Sequence, residues 1–192
     1  MTTNREKKAR LRKESLALRD AISPELRIEK SLAIADHAGD EIEFEPGAVI
    51  SGFFPIRSEM DVRPLMARLR ARGARLSLPV VVSKETIVFR ELVAGAELVD
   101  TGFGTAGPGP EAGEVDPVIM LVPLAAFDAT GHRIGYGAGF YDRAIDQIRK
   151  KGLEPRLIGI AFDIQEVAHV PAEPHDVGLD AVLTESGLRH FR

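Results

Sequence analysis

The sequence contains no cysteine and no tryptophan, and only 6% of its residues are aromatic. The absence of cysteine excludes disulfides, thiolate nucleophiles and cysteine-ligated zinc sites. The scarcity of aromatic residues argues against a surface that stacks nucleic-acid bases. The net charge of −4 provides no overall basic field to attract DNA or a membrane surface. We therefore expect neither a nucleic-acid partner nor a membrane partner.

Long apolar runs are also missing. No run approaches the length of a transmembrane helix, and no signal-peptide core follows the basic N-terminal segment. We therefore expect a cytoplasmic protein. Its 192 residues, 44% hydrophobic and 28% charged, suffice for a globular domain with its own core. We expect one domain over residues 1–192, and a monomer.

Helix and strand patterns alternate along the chain. Residues 4–21 predict a first helix with Leu11, Leu18 and Ile22 as its apolar stripe. Ser23 before Pro24 predicts the start of a second helix, which should end near Gly39. Further helices are expected between residues 64 and 73 and between 141 and 151. Strands are expected at 48–54, 75–82, 86–92, 118–122, 156–162 and 180–183. We expect the strand at 86–92 to lie at an edge of the sheet and residues 95–117 to form a long loop.

Continuous apolar strands that alternate with helices are typical of an α/β fold. We predict a layered domain with a central, mostly parallel sheet flanked by helices. In such sheets, ligands bind at the carboxyl ends of the strands. The segments richest in glycine fall at those ends, so we expect the functional site there.

The loop from Gly131 to Arg143 carries three alternating glycines. Glycine allows positive φ and close approach of the backbone to a ligand, and successive N–H groups can form an anion-binding nest. The positive end of the helix that follows faces the same place. Arg133 and Arg143 can donate charge-assisted hydrogen bonds to phosphate, and Asp142 has the hard oxygens that Mg²⁺ prefers. The loop therefore predicts a site for a nucleotide phosphate and Mg²⁺.

This loop matches neither a Walker A sequence nor a dinucleotide-binding fingerprint. An alternative is a tight strand-to-helix connection that needs its glycines for geometry alone. Asp128, just before the loop, could equally bond its own backbone in a turn or belong to the site. Asp61 is expected to cap the helix that follows it.

The sequence around this loop resembles 5-formyltetrahydrofolate cyclo-ligases, also called 5,10-methenyltetrahydrofolate synthetases. The signature is a Pro and a Phe-Asp, here within Val122 to Asp128, followed by the glycine loop and Tyr-Asp-Arg. The resemblance continues in order through Lys8 with Arg12, Phe54-Pro55, Ser58 to Asp61, Leu78 to Val81, Gln165, Val170-Pro171, His175-Asp176 and Thr184-Glu185. Phe54 and Phe140 stand where the family often has Tyr, and Gly107 to Pro110 replaces a commoner Glu-Pro form.

The resemblance implies an ATP- and Mg²⁺-dependent conversion of 5-formyltetrahydrofolate to 5,10-methenyltetrahydrofolate, through a phosphorylated formyl intermediate, with release of ADP and phosphate. It implies that ATP is contacted by Lys8, Ala9, Arg10, Leu11, Arg12, Arg133, Ile134, Gly135, Tyr136, Gly137, Ala138, Gly139, Phe140 and Tyr141. Folate would contact Arg12, Phe54, Glu59 and residues Tyr136 to Phe140. Asp142 and Asp176 would hold Mg²⁺, and Lys8, Tyr141 and Arg143 would be catalytic.

Other functions stay open at this point. A same-family enzyme with another substrate is one, although Glu59 with Lys8 and Arg12 favours the folate reaction. A protein that sequesters folate or nucleotide without turnover is another, although Asp142, Asp176 and Arg143 argue against it, because storage needs no phosphate site prepared for a metal ion. A sugar-phosphate isomerase or an acyl-CoA transferase could share similar layers, but analogy of fold is weak evidence.

Overall fold

The computed structural model describes residues 3–174 and 176–191. Its α-helices are α1 (Asn4–Asp20), α2 (Pro24–Ala38), α3 (Arg63–Ala71) and α4 (Phe140–Lys150), with a 3₁₀ turn at Asp163–Gln165. Its strands are β1 (Val49–Ser51), β2 (Arg75–Val81), β3 (Ile87–Glu91), β4 (Leu98–Gly102), β5 (Thr105–Pro108), β6 (Ile119–Pro123), β7 (Ala126–Phe127), β8 (Arg133–Ile134), β9 (Arg156–Ile160), β10 (Ala181–Thr184) and β11 (Gly187–His190).

Seven strands form one sheet in the order β11-β10-β9-β6-β1-β2-β3. The five inner strands pair in parallel, and β11 and β3 pair antiparallel at the two edges. The predicted mostly parallel sheet and the predicted edge strand at 86–92 are therefore confirmed. Because the inner strands run in one direction, the loops after β1, β2 and β6 emerge at the same side of the sheet.

The environment of strand β6 explains why its sequence is apolar at successive positions. Leu121 faces the core between the sheet and helices α2 and α3, whereas Met120 and Val122 face the core between the sheet and α4. All three are 0% exposed. Successive side chains of a strand point to opposite faces, so a strand covered on both faces needs apolar residues throughout.

Helix boundaries follow the capping residues closely. Thr3 and Glu6 form a capping box at the start of α1, and the Ser23 side chain accepts a hydrogen bond from the Leu26 backbone at the start of α2. Asp61 accepts a hydrogen bond of 3.0 Å from the Arg63 backbone in the first turn of α3, but the N-cap residue of that helix is Val62. Within residues 3–174 and 176–191, no helix is long and apolar enough to cross a membrane.

The apolar stripe predicted for α1 is wrong at Leu18, which is 48% exposed. Leu11 and Ile22 are partly buried against apolar clusters, but the fully buried residues of the helix are Ser15 and Arg19. The helix therefore turns a polar face inward. Apolar periodicity could not reveal this, because it assumes that the inner face of a helix meets an apolar core.

The predicted long loop over 95–117 contains a hairpin, β4 with β5, and the glycine-rich segment before α4 contains the short pair β7 with β8. Strand β11, which the sequence did not predict, pairs with β10. β4 is almost wholly exposed, so it lacks the alternation that identifies a half-buried strand. The β4–β5 hairpin packs closely on β2. A Cβ on Gly107 would lie 3.0 Å from a methyl of Val80, so there is little room for a larger residue at this contact.

Asp128 is a turn residue rather than a residue of the cavity described below. Its Oδ1 accepts from the backbone N–H groups of Thr130 and His132, and its Oδ2 accepts from the N–H of Val170 at 2.9 Å. The residue is 2% exposed. Burial alone would raise the pKa of this carboxyl, but the hydrogen bonds from Thr130, Val170 and His132 hold that pKa below its ordinary value.

We predict that Asp128→Asn lowers the free energy of unfolding at pH 7 by about 2 kcal/mol, because an amide NH₂ would meet an N–H donor. The carboxylate stabilises the fold at neutral pH, and this contribution is lost as pH falls through its lowered folded pKa. Urea unfolding from pH 7 to pH 3 should therefore show the difference between wild type and variant shrinking in acid. Asp100→Asn is the control, since Asp100 makes one such backbone bond on an exposed strand. Equal losses for both variants would contradict the prediction.

Candidate functional site

A cavity of about 540 Å³ lies at the carboxyl ends of β1, β2 and β6. Its walls are the inner face of α1, the loop from Phe53 to Glu59, the tip of the β4–β5 hairpin, and the glycine loop with the first turn of α4. This is the position predicted for ligands in a parallel α/β sheet. The cavity has one end rich in charged pairs and one end built around a partly buried carboxylate.

The glycine loop lies against α1 at the charged end. The Arg12 Nε donates to the Gly135 carbonyl at 2.7 Å. Gly137 has φ of +100°, and a Cβ there would point at the Arg12 guanidinium, 3.5 Å from its carbon. Gly139 is the N-cap of α4 in the left-handed conformation, and because glycine has no side chain it cannot cap the first N–H groups of that helix. The loop thus combines a cation, backbone amides and a helix N-terminus, which together suit an anion.

Two carboxylates line the same end, and each already meets a cation. The Arg133 guanidinium donates to Asp142 Oδ1 at 2.8 Å and also to the Val177 carbonyl. The Lys8 ammonium donates to Asp176 at 2.6 Å and to Glu173 at 3.1 Å. Burial acts to lower the pKa of Lys8, but its hydrogen bonds to these carboxylates outweigh burial and raise that pKa. Lys8 is therefore a cation at neutral pH.

These carboxylates fit a Mg²⁺ that arrives with a nucleotide. Asp142 and Asp176 both border the cavity, but no group of three metal-binding side chains converges in the part of the chain that the structure describes. Mg²⁺ in nucleotide sites commonly takes one or two carboxylates and completes its shell with phosphate oxygens and water. His175, noted beside Asp176 in the sequence, lies outside the described residues.

The other end of the cavity is built around Glu59. Its Oε2 accepts from the Ile56 backbone at 2.8 Å, and the Tyr136 side chain acts to lower the pKa of its carboxyl. Behind them lies Arg19, which is 2% exposed and donates to the Tyr136 hydroxyl at 2.5 Å and to Ser58 Oγ at 2.9 Å. Burial raises the pKa of Glu59, and Tyr136 opposes that rise. Burial also raises the pKa of Tyr136, so its hydroxyl stays protonated.

Tyr141 is a partly buried residue that lines the cavity, and its hydroxyl is buried. Among the described residues, its hydroxyl has no hydrogen-bond partner. Burial, and then the charge of Glu59, raises the pKa of this hydroxyl, so it is neutral and can donate. An unpaired buried hydroxyl costs about 1–3 kcal/mol. Its position at the cavity makes it a candidate for contact with a ligand.

Most of the predicted site residues come together around this cavity. Those that line it are Lys8, Arg12, Phe54, Glu59, Arg133, Ile134, Gly135, Tyr136, Gly137, Ala138, Gly139, Phe140, Tyr141, Asp142 and Asp176. Ala9, Arg10, Leu11 and Arg143 do not line it. Arg10 is exposed beside Glu14, and Leu11 packs on a small apolar cluster. Ligand contacts for all of these residues stay predictions.

Arg143 takes a different position from the predicted one. Its Nε donates to the Glu85 carbonyl at 2.6 Å, its second guanidinium nitrogen donates to the Ala138 carbonyl at 2.8 Å, and its guanidinium lies 5.4 Å from the centre of the Phe140 ring. Arg143 therefore ties the glycine loop to the segment after β2. Its catalytic role remains a prediction from resemblance.

Several residues that line or support the cavity were not predicted, among them Arg19, which lies behind Tyr136, and Phe103. Arg19 had a detectable signal, because Lys8, Arg12, Ser15 and Arg19 recur at spacings of four, three and four, which places them on one helix face. Phe103 had none. It lies at the tip of the β4–β5 hairpin with φ of +56°, borders the cavity, and meets the Phe140 ring edge-on with centroids 5.9 Å apart.

Comparison with known proteins agrees with this geometry. A sequence profile of the 5-formyltetrahydrofolate cyclo-ligase family matches residues 4–185. The 5-formyltetrahydrofolate cyclo-ligase of Haemophilus influenzae is 27% identical over 186 residues, covering 94% of this chain and 98% of the relative. The enzyme of that name from Escherichia coli K12 is 33% identical over 143 residues, covering 71% and 78%. The structure of 5,10-methenyltetrahydrofolate synthetase from Aquifex aeolicus is similar with a TM-score of 0.81 and 30% identity, covering 96% of this chain and 93% of that chain.

Gly135 allows a test of where the ligand lies. A Cβ at Gly135 would meet no atom within 4 Å, its φ lies outside the left-handed region, and it faces the cavity. We predict that Gly135→Ala leaves the free energy of unfolding unchanged but raises the Kd for Mg²⁺-ATP about tenfold, equivalent to about 1.4 kcal/mol, because the methyl takes the ligand's space. Titration calorimetry and urea unfolding measure the two quantities.

The matched control for this variant is Gly113→Ala. Gly113 also has open space around a Cβ, but it is exposed and away from the cavity. It should leave both the stability and the nucleotide affinity unchanged. If Gly135→Ala bound Mg²⁺-ATP as tightly as the control does, the nucleotide would not lie beside this part of the loop.

Proposed function

The chain belongs to the 5-formyltetrahydrofolate cyclo-ligase family, and from this membership we propose that it converts 5-formyltetrahydrofolate to 5,10-methenyltetrahydrofolate with ATP and Mg²⁺, releasing ADP and phosphate. The observation that carries the proposal is a single cavity with two chemically different ends. Lys8, Arg12 and Arg133 gather at one end, and the carboxylate of Glu59 lies at the other. A reaction between a nucleotide and a folate needs both ends within reach of each other.

The reaction requires activation of the oxygen of the formyl group on N5, because this oxygen is a poor leaving group. Transfer of the γ-phosphoryl group of ATP forms a bond from that oxygen to phosphorus and breaks the bond to ADP. N10 then attacks the formyl carbon and closes the ring, the N10 proton is lost to solvent, and the carbon–oxygen bond breaks to release phosphate. Phosphoryl transfer depends mainly on positioning and charge neutralisation, so no strong protein nucleophile is needed.

The charged end of the cavity supplies both the positioning and the charge neutralisation that phosphoryl transfer needs. Lys8 and Arg133 would neutralise phosphate oxygens, and the amides around Gly137 and the start of α4 would orient them. Arg12 holds the loop through the Gly135 carbonyl and keeps the rest of its guanidinium beside Gly137. We propose that Asp142 and Asp176 hold Mg²⁺, which supplies charge neutralisation on the transferred phosphate.

The Glu59 end would bind the folate. A carboxylate pairs well with the adjacent N–H donors of a pterin ring. Phe54 and Phe140 border the same cavity and offer apolar surface to the flat ring system. Tyr141 lines the cavity, and among the described residues its buried hydroxyl has no hydrogen-bond partner, so we propose that it contacts the reacting groups.

A single chain would form the complete site. Residues that border the cavity run from Lys8 in α1 to Asp176 near the C-terminus of the same chain. This arrangement supports a proposal that residues 1–192 act as one cyclo-ligase domain and that a monomer suffices for activity.

The direct test follows the absorbance of 5,10-methenyltetrahydrofolate when the chain meets 5-formyltetrahydrofolate. Absorbance should rise only when ATP and Mg²⁺ are both present, and one ADP should form for each product molecule. Tight binding of both ligands without product would indicate a sequestering protein. A rise without ATP would indicate a different reaction.

Asp142 provides a test of the metal site. Asp142→Asn should raise the Mg²⁺ concentration needed for half-maximal rate by about tenfold or more, since even outer-shell partners of a metal are worth roughly 10- to 100-fold in affinity. The amide oxygen can still accept from Arg133, so the local structure should persist. Rates measured across a Mg²⁺ titration decide the point.

Asp146→Asn is the control on the same helix, because Asp146 pairs with Lys150 at the surface. The control should keep the wild-type Mg²⁺ dependence. An Asp142→Asn curve that overlays the wild-type curve would remove Asp142 from the metal site without contradicting the overall reaction.

A further inference from the structure

Arg143 is a cation at the end of the first turn of α4, close to the helix N-terminus. A positive charge is unfavourable there, because the N-terminus of a helix carries partial positive charge of its own. The guanidinium does not border the cavity. It donates from Nε to the Glu85 carbonyl at 2.6 Å and from a terminal nitrogen to the Ala138 carbonyl at 2.8 Å. Two backbone carbonyls therefore compensate this cation and hold it in place.

The Ala138 carbonyl belongs to the peptide unit that joins Ala138 to Gly139. This peptide unit is trans, so it is planar and its C=O and N–H point in opposite directions. The Gly139 N–H therefore points away from the Arg143 guanidinium. Ala138 and Gly139 both border the cavity, whereas Arg143 and Glu85 do not. By holding the carbonyl on the outer side, Arg143 turns this N–H towards the cavity.

The backbone donors beside this peptide unit have no partner in the protein. Within residues 3–174 and 176–191, the N–H groups of Gly137, Ala138 and Gly139 donate no hydrogen bond. Gly137 and Gly139 have φ of +100° and +69°, with Ala138 between them. Successive free N–H groups in such a turn can form a concave site for an anion. They bind an anion well only if their directions are fixed before it arrives.

The guanidinium also fills the space behind the loop. A Cβ at Gly139 would lie 2.8 Å from an Arg143 nitrogen, so a larger residue there would displace the side chain. The guanidinium carbon lies 5.4 Å from the centre of the Phe140 ring, on the first residue of α4. Its bond to Glu85 connects this assembly to the turn between β2 and β3. The loop is thereby held against the central sheet.

We propose that Arg143 is a positioning residue for phosphate binding and does not itself touch the nucleotide. It fixes the peptide unit between Ala138 and Gly139, so that the loop N–H groups are already oriented when the phosphates of ATP arrive. The inference deepens the proposed function and rests on it, because it places those phosphates beside the glycine loop. It gives Arg143 a different role from the catalytic one that the resemblance implies.

The first test compares Arg143→Met with Arg149→Met. Arg149 is a matched control, because it lies on the same helix, is partly exposed, and pairs with Glu154 at the surface. In Arg143→Met the Kd for Mg²⁺-ATP should rise about tenfold, the size of roughly one hydrogen bond to a charged group, while the KM for 5-formyltetrahydrofolate stays unchanged. Arg149→Met should match wild type in both constants. Equal rises in both constants for Arg143→Met would indicate general loosening and overturn the inference.

Inorganic tripolyphosphate isolates the phosphate contacts, because it has neither base nor ribose. Its Kd in the presence of Mg²⁺, measured by calorimetry in the full-length chain, should rise in Arg143→Met by the same factor as the Kd for Mg²⁺-ATP. A rise for Mg²⁺-ATP without a rise for tripolyphosphate would place the effect at the base or the ribose and overturn the inference.

Arg143→Lys separates orientation of the loop from direct contact with phosphate. Lysine keeps the positive charge, but its ammonium cannot reproduce the planar fork that reaches both carbonyls. Arg143→Lys should therefore show most of the loss of affinity seen in Arg143→Met. Wild-type affinity in Arg143→Lys would mean that charge alone matters, which would overturn the inference.

The ligand-free protein provides a readout that does not depend on turnover. NMR order parameters for the N–H groups of Gly137, Ala138 and Gly139 should be near the rigid value of about 0.85 in wild type and in Arg149→Met, and fall towards about 0.6 in Arg143→Met. Unchanged order parameters in Arg143→Met would overturn the inference even if affinity fell. Absence of product formation by wild type would instead count against the proposed function alone.

Discussion

Helix α1 carries three cations on the face that it turns into the protein, and each must find acceptors there. Lys8 meets Asp176, Arg12 meets the Gly135 carbonyl, and Arg19 meets Tyr136. Unmatched charges at these positions would oppose folding, because desolvation of an unpaired cation is costly. The acceptors lie in segments far apart in the sequence, so pairing the cations of α1 with them also brings the walls of the cavity together.

The need to pair these cations with acceptors also explains why the two ends of the cavity differ chemically. At one end, cations paired with Asp142 and Asp176 leave a mixed field that suits a phosphate together with Mg²⁺. At the other, Glu59 is a partly buried acceptor in a cavity that Phe54 and Phe140 also line. A rigid helix that contacts both ends keeps them at a constant separation, which a transfer between two substrates requires.

Much of the fold could be predicted from local patterns. Ser23 with Pro24 located α2, and apolar runs located the inner strands, because caps and burial on both faces act over a few residues. The β4–β5 hairpin and β11 were missed, since β4 and β11 are largely exposed and lack the apolar alternation that identifies a half-buried strand. Leu18 was misassigned because α1 packs a polar face inward.

The sequence by itself determined the family, the α/β class and the identity of the loop that holds the glycines, because glycine spacing and flanking charges are local properties. Only the tertiary structure decided which side chains face the cavity. It turned Arg143 towards Glu85, made Asp128 a turn residue, and placed Arg19 behind Tyr136. The reason is physical: a charged side chain bonds whichever acceptor the folded chain brings within about 3 Å, and those acceptors lie tens of residues away in the sequence.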